Sequence, residues 1–152
     1  MLYNSMTRNI EYIVIHESDT ENGKTYTASD IEQWHKERKE WGPSKITHKY
    51  IGYHWVIDVD GVIEAGRHPD EIGAHAKGYN TNSLGICLIG RGKYTQAQWD
   101  SLQTLLGGLI AEYPKVKIIG HNQISRKTCP DFDVPAYVKS GFVPDEKNIL
   151  HK

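Results

Sequence analysis

The sequence predicts an α/β fold, a single domain in which a central mixed β-sheet is flanked by helices. Short runs rich in β-branched residues alternate with helical patterns, and one pair of strands is joined by a tight turn. No repeat, linker or shift in composition divides the 152 residues. We therefore expect one domain over residues 1–152, with a core at about 11–135 and a C-terminal tail at about 136–152.

The first strand and the first helix are predicted from neighbouring segments. "EYIVIH" (11–16) is a β-branched run, typical of a buried strand, and it ends at His16. "YTASDIEQWHKERKE" (26–40) opens with a threonine and, three positions later, an aspartate, a pattern that caps helices. Its charged end is typical of a solvated helix terminus. One face of this helix carries Ile31, Trp34, His35 and Arg38.

A hairpin is predicted next in the chain. "IGYHWVIDVDGVIEAGR" (51–67) contains two alternating strands joined through Asp60–Gly61, a strong turn signal. Alternation predicts that Tyr53 shares a face with Trp55 and Ile57, and that the histidine between them points the other way.

Two further strands enclose the clearest helix. "LGICLIG" (84–90) is an apolar run typical of a buried strand. "YTQAQWDSLQTLLGGLIAEYP" (94–114) has a capping box, an apolar stripe and a proline that ends it. "VKIIG" (116–120) is a final inner strand, and His121 follows its end.

The composition of the chain limits which partners it can bind and where in the cell it is expected. The chain is 38% hydrophobic and 24% charged with a formal net charge of −1, which gives no support for nucleic-acid binding or for an anionic membrane surface. No apolar run approaches the roughly 20 residues of a membrane span. The N-terminal "MLYNSMTRNI" lacks the pattern of a secretory signal, and two cysteines make a poor disulfide framework. We therefore expect synthesis in the cytoplasm.

Three residues have the chemistry of a catalytic zinc site. His16 and His121 each follow the last apolar residue of a predicted strand, and ligands of open α/β sheets bind beyond strand ends. Cys129, in "GHNQISRKTCPDFD" (120–133), has no apolar run to belong to. Two imidazoles and a thiolate suit a zinc ion that keeps a fourth position open for water, whose pKa it lowers to about 7.

Other interpretations of these residues stay open. They could be surface histidines with an incidental cysteine, or a structural zinc site, although its obvious fourth ligand, Cys87, lies within an apolar strand. Alternatively, Cys129 could be the nucleophile of a cysteine peptidase with His121 as its base. No helix N-terminus or similar electropositive setting is predicted at Cys129, which disfavours the peptidase.

Five strings in the chain carry a family resemblance: "IVIHES", "DIEQWHKE", "GYHWVIDVDGVIEAGR", "GAHAKGYNTNSLGICLIG" and "GHNQISRKTCPDFD". In these strings, and in their order over about residues 11–135, the chain resembles the zinc-dependent N-acetylmuramoyl-L-alanine amidases. That family includes T7-type phage lysozyme and the peptidoglycan recognition proteins. The resemblance implies their α/β fold, one Zn²⁺ per chain, and hydrolysis of the amide that joins the muramyl lactyl group to L-alanine.

The resemblance also implies roles for particular residues. Tyr53 and Lys127 match two residues that the family needs for amide cleavage without binding metal, while His75 matches a histidine of the substrate groove. Asn80 has an amide suited to hydrogen bonds with peptide or sugar, so we expect His75 and Asn80 to bind substrate. For His75, support of a zinc ligand and a structural role in the turn are the alternatives. Glu17 departs from the small residue, hydroxyl residue or cysteine frequent at this position. The implied zinc ligands are His16, His121 and Cys129.

Partners and location follow from the same resemblance. We expect a monomer that acts on peptidoglycan after release from a phage-infected bacterium. A peptidoglycan-binding module without catalysis is the alternative, and Cys129 disfavours it because such modules lack the zinc cysteine. Some phage members also restrain their phage's RNA polymerase, and this second partner is an expectation from the family alone.

Overall fold

The computed structural model describes residues 8–151 and contains a five-stranded sheet with three α-helices. The N-terminal segment "MLYNSMTRNI", which lacks the pattern of a secretory signal, lies largely outside these residues. The strands are Tyr12–Glu17 (β1), Trp55–Ile57 (β2), Ile63–Ala65 (β3), Ser83–Leu88 (β4) and Lys117–Gly120 (β5), and the helices are Ala28–Arg38 (α1), Gln96–Glu112 (α2) and Val134–Lys139 (α3).

The sheet is mixed, as predicted, with the strand order β3-β2-β4-β1-β5. β1 pairs in parallel with β4 and β5, β2 pairs in parallel with β4, and β3 is the antiparallel edge strand. β1 and β4 are buried almost throughout, since strands at the centre of a covered parallel sheet have both faces packed. His16, the penultimate residue of β1, therefore lies on an inner strand of the sheet.

Two apolar cores cover the two faces of the sheet. The first core holds side chains of β1, β4, α2 and α3, among them Ile13, Ile15, Leu84, Ile86, Leu102 and Leu106. The second core contains Ile31, Ile51, Val56, Val59, Cys87 and Ile89. Because side chains alternate along a strand, Ile15 faces the first core and His16 projects to the opposite, α1 side.

Both long helices begin at the capping residues that the sequence predicts. At α1, the Thr27 hydroxyl accepts a hydrogen bond from the Asp30 amide, and the Asp30 carboxylate accepts one from the Thr27 amide at 2.8 Å. Thr95 and Gln98 form the same reciprocal pair at α2. These bonds satisfy amides that the first turn leaves without intrahelical partners.

The predicted position of Tyr53 within a regular strand is wrong. β2 begins at Trp55, and Tyr53 packs against the second core, whereas Trp55 and Ile57 pack in the first. The cause is an irregular stretch before β2, where Gly66 and Arg67 in succession donate to the carbonyls of residues 54 and 53. A regular antiparallel ladder does not use successive donors in this way, so the side chains no longer alternate.

The segment predicted as a C-terminal tail packs on the core. Tyr137 of α3 belongs to the first core, and Phe142 and Ile149 pack against it. Farther on, Asn148 donates to the Gly92 carbonyl at 2.8 Å, and its own carbonyl accepts a bond from the Trp99 indole. Among the helices of the described part of the chain, none has the length and apolarity that crossing a membrane requires.

Candidate metal centre

Three segments distant in sequence meet at the α1 side of the sheet. His16 is the penultimate residue of β1, His121 opens the 3₁₀ turn that follows β5, and Cys129 lies on the loop before α3. Their ligand atoms all lie within 4.8 Å of one another. The nitrogen of His16 that faces the thiol is Nδ1, 4.0 Å from Cys129 Sγ. The structure therefore brings together the three residues predicted to bind metal.

The protonation states of the two imidazoles suit a metal ligand. Burial lowers the pKa of His16 well below its ordinary value, and the neighbouring His75, His121 and Lys127 lower it further. Burial, followed by the charge of Lys127, also lowers the pKa of His121. Both rings are consequently neutral near pH 7 and have a lone pair for a cation.

The thiol of Cys129 needs a cation before it can ionise. Burial raises its pKa to about 12, an effect that the Glu17 amide opposes through a bond to Sγ at 3.1 Å. A protonated thiol is a poor nucleophile, which counts against the cysteine peptidase. A bound Zn²⁺ would deprotonate it, so the donor set fits zinc with two nitrogens and one sulfur.

The carboxyl group of Glu17 is buried near the Cys129 thiol but does not carry a full negative charge. Its Oε1 lies 3.0 Å from the Tyr94 hydroxyl oxygen. Burial, together with the nearby Asp131, raises the pKa of this carboxyl to about 8. The group is therefore mainly protonated at neutral pH, and Glu17 supports the loop that carries Cys129.

A fourth protein ligand is absent from the group formed by residues 8–151. Cys87, the candidate for a structural zinc site, pairs in register with His16 but belongs to the second core. Burial holds its pKa well above the ordinary value. A site with three protein ligands and an open position is the catalytic arrangement of zinc, not the structural one.

The His16, His121 and Cys129 side chains line a groove of about 940 Å³ that also holds Tyr53 and Lys127. The Tyr53 ring lies 5.1 Å from the His16 ring, centroid to centroid. Burial raises the pKa of the Tyr53 phenol well above its ordinary value, with Cys87 and Cys129 adding to the effect, so the phenol keeps its proton. Lys127 is exposed on the same wall as Cys129.

His75 and Asn80 line this groove, but their polar atoms are engaged within the protein. His75 Nδ1 lies 2.8 Å from His16 Nε2, and its Nε2 lies 3.2 Å from Ser83 Oγ. Asn80 Oδ1 accepts bonds from the amides of His75 and Ala76, each at 2.9 Å. The substrate-binding role of these two residues stays a prediction.

The groove also contains side chains to which the sequence assigned no site role. His35, Arg38 and Trp41, from α1 and the loop after it, line the groove. The Gly52 amide donates to His35 Nδ1 at 2.9 Å, which fixes the backbone next to Tyr53. The helical spacing, which places His35 and Arg38 on one face of α1, could have indicated their position in the groove. The charged "ERKE" segment was instead interpreted as a solvated helix end.

Fold and site together define a class of protein, an α/β domain with a His–His–Cys group that could hold a metal ion in an open groove. The family described as N-acetylmuramoyl-L-alanine amidase matches residues 6–132, so the chain belongs to this amidase family. It is 40% identical over 130 residues to the endolysin of Escherichia phage T7, covering 80% of this chain and 81% of that one.

Solved structures show the same relationship. The N-acetylmuramoyl-L-alanine amidase LysC from Clostridium intestinale URNW superposes with a TM-score of 0.74 at 29% identity, over 90% of this chain and 88% of that one. Drosophila PGRP-LB superposes with a TM-score of 0.69 at 28% identity, over 82% of this chain and 76% of that one. The mixed-sheet fold that the sequence predicts is thus the fold of these amidases and recognition proteins.

Proposed function

We propose that this chain is a zinc-dependent endolysin that hydrolyses the amide between the muramyl lactyl group and L-alanine of peptidoglycan. The observation that carries the proposal is one groove that holds His16, His121 and Cys129 together with Tyr53 and Lys127. Membership of the amidase family and the likeness to the phage T7 endolysin support the reaction and the substrate.

His16, His121 and Cys129 would hold the zinc ion. When bound, zinc supplies Lewis-acid chemistry and a water-derived nucleophile at neutral pH. Lys127 places a positive charge where negative charge develops on the amide oxygen. Tyr53, which keeps its proton at neutral pH, donates a hydrogen bond to the same oxygen or delivers a proton to the departing nitrogen.

The rim of the groove suits an anionic peptide. Arg38, Lys77 and Lys127 are exposed and line it, and they outnumber the exposed carboxylates there, which are Asp19 and Glu40. Stem peptides of peptidoglycan carry carboxylates, and cations around a cleft attract such a ligand and orient it. Residues of α1 and of the loop that contains Lys77 therefore act in binding, while Tyr53 and Lys127 act on the scissile amide.

Product analysis of digested peptidoglycan tests this function. We expect free stem peptides with new L-alanine amino termini and long, intact glycan strands. New reducing sugar ends would contradict the proposal, because they identify a glycosidase. Binding of peptidoglycan without release of peptide would favour the non-catalytic module. The Cys129→Ala variant is the matched control, since it lacks one zinc ligand but keeps the groove.

Metal content is the second test. Purified protein should hold about one zinc per chain, and a strong chelator should abolish peptide release until zinc is restored. Full activity in the metal-free protein would refute the zinc dependence and leave the cleaved bond unaffected. Restraint of an RNA polymerase stays a prediction from the family resemblance.

A further inference from the structure

We propose that His75 is a positioning residue for the metal centre, which fixes the tautomer and the ring orientation of the ligand His16. This inference rests on the proposed zinc function and deepens it. Of the roles expected for His75, it selects support of a ligand over contact with substrate.

The first step concerns the two nitrogens of His16. Its Nδ1 faces Cys129 Sγ, and its Nε2 lies 2.8 Å from Nδ1 of His75. A neutral imidazole carries one proton, and a nitrogen that binds metal must be the unprotonated one. With Nδ1 as the ligand atom, Nε2 carries the proton and donates it in a hydrogen bond to His75.

The second step concerns the hydrogen bonds made by the two nitrogens of His75. Because His75 Nδ1 accepts, the proton of the neutral His75 ring is on Nε2, which lies 3.2 Å from the hydroxyl oxygen of Ser83. Ser83 is fully buried at the start of β4. Both nitrogens of His75 are thus used within the chain, which leaves neither for a substrate.

The third step is the cavity that holds the His75 ring. A Cβ atom at Gly85 would lie 2.7 Å from His75 Cγ, and one at Gly73 would lie 2.7 Å from His75 Cδ2. Glycine at both positions therefore leaves space for the imidazole. Asn80 fixes the backbone of His75 through its bond from the His75 amide. A ligand is held accurately when its supporting group is itself packed and hydrogen-bonded.

Zinc affinity, measured by competition with a chelator, tests this role. Loss of such a supporting partner typically weakens metal binding 10- to 100-fold, and we expect that loss in His75→Ala. His75→Gln keeps a side-chain acceptor and should recover most of the affinity. Ser83→Ala should cause a smaller loss, about 2- to 10-fold, because it acts through His75.

A matched control separates positioning from general destabilisation. Leu106→Ala truncates a buried side chain of the first core, on the other face of the sheet. It should lower thermal stability while zinc affinity stays at the wild-type value. An equal loss of affinity in Leu106→Ala and His75→Ala would overturn the positioning role, as would failure of His75→Gln to restore binding.

A spectroscopic measurement reads the tautomer directly. In ¹⁵N NMR spectra of zinc-loaded protein, His16 should show a protonated Nε2 that exchanges slowly with water, and exchange should accelerate in His75→Ala. A protonated Nδ1 would overturn the inference. A wild-type protein that binds no zinc would instead refute the proposed metal dependence, whereas wild-type affinity in His75→Ala would refute this inference alone.

Discussion

Tyr53 and Lys127 share a groove with the metal-binding group but differ in environment. The Tyr53 phenol is half-buried and keeps its proton, whereas the Lys127 ammonium is exposed. Neither residue belongs to the group of candidate ligands. Their proposed contributions therefore concern charge and protons in the transition state, and these can be separated experimentally from metal binding.

Substitution of these two residues should affect turnover alone. We expect Tyr53→Phe and Lys127→Ala to lower kcat by about 100-fold or more, because each removes one group that stabilises the transition state. Zinc content, measured by atomic absorption, should stay at the wild-type value. Cys129→Ala is the control that should lose zinc and activity together. Loss of zinc in either of the first two variants would make that residue a ligand or a structural support.

The buried hydroxyl of Tyr137 allows the contribution of a single polar group to stability to be tested. Its hydroxyl is buried and has no hydrogen-bond partner within residues 8–151, although its ring packs between Trp99 and Phe142. Tyr137→Phe should raise the free energy of unfolding by about 1 kcal/mol, since it removes an unsatisfied polar group. The melting temperature should rise by about 2–4 °C.

Tyr94→Phe is the matched control for this prediction. The Tyr94 hydroxyl donates to the Pro130 carbonyl at 2.7 Å and accepts from the Gly92 amide at 3.1 Å. Its removal leaves these groups unpaired and should lower the melting temperature. A stabilised Tyr94→Phe, or a destabilised Tyr137→Phe, would contradict the hydrogen-bond assignment.

At the scale of elements, a single carboxylate holds the loop between α1 and β2. Glu71 accepts bonds from the amides of Ile46, Thr47 and His68, each at 2.7–2.9 Å, and from the Thr47 hydroxyl. Burial alone would raise the pKa of Glu71, but the bonds from Thr47, Ser44 and His68 outweigh it and lower the pKa to about 2.

This arrangement predicts a defined loss of stability in acid. A carboxyl with a lowered pKa contributes fully above its ordinary value of 4.5, and the contribution is lost as the pH falls from 4.5 through about 2. Glu71→Gln should cost about 2 kcal/mol at pH 7, because bonds to a charged acceptor are lost. The difference in melting temperature between wild type and variant should shrink across that range. A constant difference would refute the ionised state of Glu71.

Helix caps, turns and strand ends were the local sequence patterns from which the fold could be predicted. Thr27 and Thr95 predicted the helix starts, and the apolar run before His16 predicted its place at the end of β1. The direction of the Tyr53 side chain could not be predicted, because it depends on irregular pairing in which the Arg67 amide bonds the Tyr53 carbonyl and the Gly66 amide bonds the next carbonyl along the chain. Such pairing is set by tertiary contacts and leaves no periodic pattern.

The sequence left the role of His75 open. A histidine in a glycine-rich loop is compatible with a turn, with substrate binding or with support of a ligand, and only the fold brings Nδ1 of His75 to 2.8 Å from His16. By contrast, the grouping of His16, His121 and Cys129 was predictable, because donor chemistry and strand ends are both visible in the sequence.

At the scale of the whole molecule, zinc should stabilise the fold. A ligand that binds only the native state adds about 2.7 kcal/mol at a free concentration 100-fold above its dissociation constant. For a chain of this length that shift corresponds to an increase of about 5–10 °C in melting temperature. Calorimetry with and without chelator measures it. Cys129→Ala should show no such difference, and an equal difference in this variant would place the stabilising metal elsewhere.

The distance along the chain between the ligands also has a kinetic consequence. His16 and Cys129 are 113 positions apart, and β1 must pair with β5 before their side chains can meet. Non-local parallel pairing is slow to form, so the ligand set should be incomplete at the rate-limiting barrier. Zinc should then slow unfolding and leave the rate of refolding nearly unchanged in stopped-flow experiments. A zinc-accelerated refolding rate would mean that the first and last strands of the sheet meet early, with the ion as part of the nucleus.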